Sequence, residues 1–265
     1  MPHIKVSSLE WHYEVEGEGE PLIFLHGWGV DKRIWRQQTK HFSNSYKVLT
    51  IDLPGHGKSD WQKISLGAMA FEVKVILDYL KISQAIVIAS SMSGMMALKL
   101  YQLAPEKIKK FSFVGSLPKF SKSKDFPHGL DVKKIRKLAG QLKTAYPSIV
   151  DIFFRSLFSK EERASRRFKW IQRFRQNVDI PLEPALAEYL DMIEHEDLRE
   201  ILKNIQVPVQ FINGTEDEIC SAEAVKHMKE LVPNARFDFF EKCGHFPFLS
   251  KPYEFNEILE SFLKS

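Results

Sequence analysis

Ala89-Ser90-Ser91-Met92-Ser93-Gly94 follows an apolar run over residues 85–90 and opens a helical pattern that continues to Leu103. A buried strand that turns sharply into a helix is the setting in which a serine hydroxyl can be presented as a nucleophile. Three serines compete for that role, and sterics choose among them. The turn crowds the residues two before and two after the nucleophile, so both must be small. Ser90 would have Ile88 and Met92 as those neighbours and Ser93 would have Met95, whereas Ser91 has Ala89 and Ser93. The common form of the motif is G-x-S-x-G, and both of its glycines are replaced here. Read alone, the stretch equally suits a serine-rich helix N-cap.

A serine hydroxyl needs a base at neutral pH. His245, in Cys243-Gly244-His245-Phe246-Pro247-Phe248, lies beyond the last expected strand and before a C-terminal helix, the third place in a Ser…Asp…His chain order. His128, His195 and His227 fall in polar stretches and read as solvated, and His56 reads as part of a structural turn. The imidazole in turn needs an acid to fix its tautomer. Gly214-Thr215-Glu216-Asp217-Glu218 presents three carboxylates after the strand at 209–213, and Asp217 is the candidate by its offset from Gly214. The loop after the sixth strand, Gly115-Ser116-Leu117, has no acid to compete with it. An oxyanion would need donors, and the glycine-lined turn His26-Gly27-Trp28-Gly29 predicts the backbone N–H groups of Trp28 and Met92, with His26 bracing the loop.

Working outward, short runs rich in Val, Ile and Phe alternate with helical stretches, which predicts an α/β protein with a largely parallel sheet. Eight strands are expected, at residues 3–6, 10–15, 21–26, 46–51, 85–90, 111–115, 209–213 and 236–240, the first two as an antiparallel edge. Helices are expected at 33–42, 65–80, 92–103 and 253–263. Residues 117–205 lack a convincing strand and are divided by Pro118, Pro127, Pro147, Pro181 and Pro184. They read as a helical cap inserted after strand six, leaving 1–116 and 206–265 as the core.

With 44% hydrophobic and 27% charged positions among 265 residues, disorder is excluded. No apolar run approaches the roughly 20 residues of a membrane span, and the N-terminus lacks the apolar segment of a secretory signal. Two cysteines, Cys220 and Cys243, fit no zinc spacing and agree with a reducing compartment. The chain is therefore expected in the cytoplasm, as a monomer, without metal or cofactor. Net charge is only +4, but residues 119–175 hold 16 Lys/Arg against five Asp/Glu, which leaves 22 against 29 elsewhere. The cap is basic on an otherwise acidic chain. No nucleic-acid motif or aromatic platform accompanies that charge. Arg163, Arg166 and Arg167 are spaced i, i+3, i+4, as on one helical face. Phe153, Phe154, Leu157 and Phe158 are expected to roof a site that Trp28 and Phe246 line from below.

With these residues placed, the sequence resembles the α/β-hydrolase superfamily from end to end. Within it the chain is most similar to the pimeloyl-acyl carrier protein methyl ester carboxylesterases of biotin synthesis. The resemblance is carried by Leu25-His26-Gly27-Trp28-Gly29-Val30 with Trp35, by Ile51-Asp52-Leu53-Pro54-Gly55-His56-Gly57-Lys58-Ser59, and by the turn at Ser91. It is carried also by Cys243-Gly244-His245-Phe246-Pro247-Phe248 with Pro252, by Leu117-Pro118-Lys119-Phe120-Ser121, and by Asp197-Leu198-Arg199. It departs at the turn, where the family has Gly-Trp-Ser-Leu-Gly-Gly, and across most of the cap. The resemblance implies an α/β-hydrolase fold, a serine esterase acting through an acyl-enzyme, and an acidic acyl carrier protein as partner, with Arg163 and Arg167 docking it.

Two readings compete on the same fold: a broad carboxylesterase for small free esters, and a serine hydrolase of carbon–carbon bonds. A non-catalytic receptor is the reading outside enzymes, and the full set of triad residues opposes it. Haloalkane dehalogenases and epoxide hydrolases need aspartate at the turn, and position 91 is serine.

Overall fold

Eight strands form one sheet in a computed structural model that describes residues 2–265. They are β1 (His3–Val6), β2 (Leu9–Glu16), β3 (Glu20–Leu25), β4 (Tyr46–Ile51), β5 (Ala85–Ser90), β6 (Ile108–Val114), β7 (Val209–Gly214) and β8 (Arg236–Phe240). Their order is β1-β2-β4-β3-β5-β6-β7-β8. The first two pairings, β1 with β2 and β2 with β4, are antiparallel, and every later neighbour is parallel. The helices are α1 (Arg36–Phe42), α2 (Leu66–Tyr79), α3 (Ser93–Leu103), α4 (Val132–Ala145), α5 (Ser148–Ser156), α6 (Lys160–Ala164), α7 (Arg166–Arg175), α8 (Glu183–His195), α9 (Arg199–Lys203), α10 (Ala222–Leu231), α11 (Pro247–Ser250) and α12 (Pro252–Lys264).

Strand periodicity sorts the core into two layers. Along β5, Val87 and Ala89 join the cluster that holds α2, α3 and α10, while Ile86 and Ile88 join the one that holds Trp35, Phe42 and α12. Buried on both faces, β5 therefore reads as a continuous apolar run rather than an alternating one. The first turn of the predicted helix at 33–42 is a 3₁₀ turn over Lys32–Trp35, and α1 begins only at Arg36.

β6 starts at Ile108, three residues before the expected strand, because Lys110 is buried. Its ammonium donates to the carbonyls of Phe262, Leu263 and Ser265 at the end of α12, so a charged residue occupies a core strand and hides it from a hydropathy reading.

Between β6 and β7 the chain forms α4 to α9. Leu198 N donates to Pro118 O at 2.9 Å and Lys119 pairs with Asp197 at 3.0 Å, so this stretch leaves and rejoins the sheet side by side. The expected single face of Arg163, Arg166 and Arg167 does not form, because the helix breaks at Ser165. That side chain accepts from Phe168 N as the cap of α7 and donates to Glu162 O at the end of α6. A serine that bonds locally in this way competes with helical continuity.

Candidate active site

The loops that follow β3, β5, β7 and β8 all leave the carboxyl end of the parallel sheet, where open α/β sheets place their sites. Ser91 closes β5 with φ of +58°, a left-handed conformation that a non-glycine residue adopts only when its surroundings impose it. They do so here: Ser91 N donates to Val114 O at 2.9 Å, and Ser91 O accepts from Ser116 Oγ at 2.6 Å and Gly94 N at 3.0 Å. The neighbouring serines are turned away. Ser93 Oγ donates to Leu25 O and Ser90 O, and Ser90 is fully buried. Of the three, Ser91 alone lines a largely apolar cavity of about 300 Å³ that His245 also lines.

His245 and Asp217 come together from two loops. Nδ1 of His245 donates to Asp217 Oδ2 at 2.7 Å, and both side chains are buried. The other carboxylate oxygen accepts from Ile219 N at 2.8 Å and Cys220 N at 3.0 Å, which fixes its plane. Glu216 is exposed, and Glu218 is exposed at the cavity wall. Cys220 also lies within 4.8 Å of the Asp217–His245 pair, a neighbour that nothing in its spacing suggested. Its thiol donates to Gly115 O, and burial together with Asp217 pushes its pKa well up, so it remains protonated.

The turn after β3 lies against Ser91. A Cβ on Gly27 would fall 2.9 Å from Ser91 Cβ, so only glycine allows the approach. Neither Trp28 N–H nor Met92 N–H donates to a protein acceptor among the described residues. The rest of this turn is braced by two histidines. His26 Nδ1 donates to Gly27 O and its Nε2 accepts from Leu53 N; His56 Nδ1 donates to Pro54 O and its Nε2 accepts from Gly29 N. Burial lowers the pKa of both, which keeps each ring neutral with one donor and one acceptor.

Trp28, Phe153, Leu157 and Phe246 line the cavity, but Phe154 and Phe158 do not. Phe154, Leu157 and Phe158 all join the second core cluster, Phe154 under the Arg175 guanidinium, and of these three only Leu157 also reaches the cavity, on the same side of α5 as Phe153. Periodicity marked both stripes as apolar; only packing separates a cavity wall from a core.

The two arginines of the cap differ. Arg163 is exposed on α6, its guanidinium bonded among the described residues only to Phe158 O, at 2.5 Å. Arg167 is half-buried on α7, bonded to Leu249 O at 2.7 Å and to Gln37, and stacked 4.1 Å from the Trp170 ring, so it holds α7 to the core. Exposed Lys134 and Lys137 of α4, which the sequence reading did not single out, stand on the cavity wall. They lie one turn apart and neither is in an ion pair among the described residues.

Known proteins match this arrangement over almost the whole chain. The alpha/beta hydrolase fold family matches residues 20–252. The chain is 31% identical over 259 residues to a pimeloyl-[acyl-carrier protein] methyl ester esterase of Aliivibrio fischeri, spanning 97% of this chain and 98% of that one. It is 30% identical over 244 residues to the protein of the same name from Nitrosomonas europaea, spanning 92% and 96%. An esterase from Exiguobacterium antarcticum, solved experimentally, superposes with a TM-score of 0.89 at 26% identity, over 98% of this chain and 97% of that one. Strand order, the turn at Ser91 and these matches agree that the chain belongs to the alpha/beta hydrolase fold family, in the branch of the pimeloyl-[acyl-carrier protein] methyl ester esterases.

Proposed function

We propose that the chain is a serine carboxylesterase that removes the methyl group from a pimeloyl methyl ester carried on an acyl carrier protein. The observation that carries this reading is the buried His245–Asp217 pair, whose imidazole lines the same apolar cavity as Ser91. His245 Nε2 takes the Ser91 proton as Oγ attacks the ester carbonyl, and Trp28 N–H and Met92 N–H receive the oxyanion. Methanol leaves with the proton from His245, and the acyl group stays on Ser91. Water then attacks with His245 again as base, releasing the free acid and restoring Ser91. Asp217 holds the imidazole in the productive tautomer throughout.

The substrate class rests on the two relatives' names and on charge. The cavity is apolar where an acyl chain would lie, and it reaches the exposed cations Lys134 and Lys137, on the same basic stretch as Arg163. A small acidic carrier suits that rim. The intramolecular bonds of Arg167 favour a second reading, a broad carboxylesterase for free esters with no carrier partner.

Initial rates on the carrier-bound pimeloyl methyl ester and on a small neutral ester decide between them. Carrier presentation should raise kcat/KM, and added salt should reduce the advantage. Equal, salt-insensitive values on both would favour the broad esterase. Rescue of a biotin-requiring strain that lacks its own esterase tests the same reading in cells.

A further inference from the structure

The loop that carries His245 is held from the helical stretch. Ser159 caps α6 in a capping box, its Oγ accepting from Glu162 N at 3.1 Å while Glu162 Oε2 accepts from Ser159 N at 2.5 Å. Glu162 is only 8% exposed, and its carboxylate reaches beyond its own helix. Oε2 also accepts from Gly244 N at 2.8 Å, and Oε1 accepts from the Cys243 thiol at 3.0 Å. Two more bonds run alongside: His245 N to Leu157 O at 2.8 Å, and Ser159 Oγ to Lys242 O at 2.9 Å. The contact is close enough that a Cβ on Gly244 would fall 2.3 Å from Leu157 O. Glu162 does not line the cavity, so it has no path to substrate.

We infer that Glu162 is a positioning residue for His245, its buried carboxylate fixing the backbone at 243–244 so that the imidazole stands between Asp217 and Ser91. The inference rests on the triad reading above. A charged acceptor makes hydrogen bonds roughly twice as strong as a neutral one, and this one serves three donors. Without it, Gly244 N–H and the Cys243 thiol lose their acceptor inside the protein. Burial and Glu162 also push the Cys243 pKa up, which keeps that thiol a donor. Catalytic geometry is sensitive to such slack, since a displacement of about 1 Å can cost on the order of 100-fold.

The experiment is steady-state hydrolysis of a small ester by the full chain. Glu162→Ala should lower kcat by about 10- to 100-fold while leaving KM nearly unchanged. Glu162→Gln keeps an acceptor for Gly244 N–H and should recover most of kcat. Should the alanine variant lack a cooperative melt, Glu162→Asp, which keeps the charge but shortens the reach, should show the same loss. A folded alanine variant with unchanged kcat, or a loss of kcat that glutamine does not rescue, overturns the inference. Ser91→Ala, run alongside, separates the two levels. An active Ser91→Ala would sink the triad reading itself, whereas an inert Ser91→Ala beside a fully active Glu162→Ala would remove only the positioning role.

Discussion

Replacing Asp217 by asparagine is an informative perturbation because the two carboxylate oxygens have different partners. Oδ1 accepts from Ile219 N and Cys220 N, and Oδ2 accepts from His245 Nδ1. Asparagine has only one acceptor oxygen. If that oxygen keeps the two backbone donors, its NH₂ faces Nδ1, and the imidazole must carry its proton on Nε2, where it cannot accept one from Ser91. If the amide flips to restore the productive tautomer, its NH₂ meets the two backbone N–H groups, each of which loses its acceptor at about 1–3 kcal/mol. The productive arrangement is thus disfavoured by about 2–6 kcal/mol, and at about 1.4 kcal/mol per decade the expected fall in kcat/KM is roughly 30-fold to 20,000-fold. The assay is initial-rate hydrolysis of a small ester near neutral pH, with a thermal melt as the check on folding, since the substitution is isosteric. Glu216→Gln, at an exposed position beside it, serves as the control and should be nearly silent. Asp217→Asn activity within about three-fold of wild type lies below the smallest loss this arithmetic allows and would refute the assignment, as would an equal loss in the Glu216→Gln control.

Ser91→Ala should remove nearly all turnover, and mass spectrometry after a fluorophosphonate should place a single adduct on Ser91; an adduct on Ser90 or Ser93 would contradict the geometry of the turn. Arg163→Glu should lower the ratio of kcat/KM on a carrier-bound ester to that on a small ester and flatten its salt dependence, whereas Arg167→Glu should depress both substrates and the melting temperature, because Arg167 bonds Leu249 O and Gln37. Arg199, with help from Lys119, holds Asp197 down to a pKa of about 2, so its pairing stabilises the fold above the ordinary carboxylate range and is lost as pH falls through about 2. The melting-temperature gap between wild type and Asp197→Asn should accordingly be present at neutral pH and close in acid; a gap that does not change with pH would show that this pairing is not its source.

Features that depend on short stretches of chain were legible before folding was considered. An apolar run, a crowded turn and a helical pattern are local, so the steric choice of Ser91 over Ser90 and Ser93 needed no tertiary information, and the structure turns the other two hydroxyls away as that choice requires. The order of strands along the chain likewise located the loops holding Asp217 and His245, because parallel strands deliver their following loops to one end of the sheet. Features that depend on residues far apart emerged only in the folded molecule. Lys110 belongs to a core strand only because the end of α12, more than 150 residues away, supplies three carbonyls. Phe153 lines the cavity and Phe154 the core, although both lie in one apolar segment, because periodicity reports that a face avoids water and not what it packs against. The run at 163–167 reads as one helical face until Ser165 turns to its local hydrogen bonds. In Glu162 both levels meet: its capping box is written in Ser159-Lys160-Glu161-Glu162, but its bond to Gly244 N–H, 82 residues on, exists only because the fold lays α6 against the histidine loop.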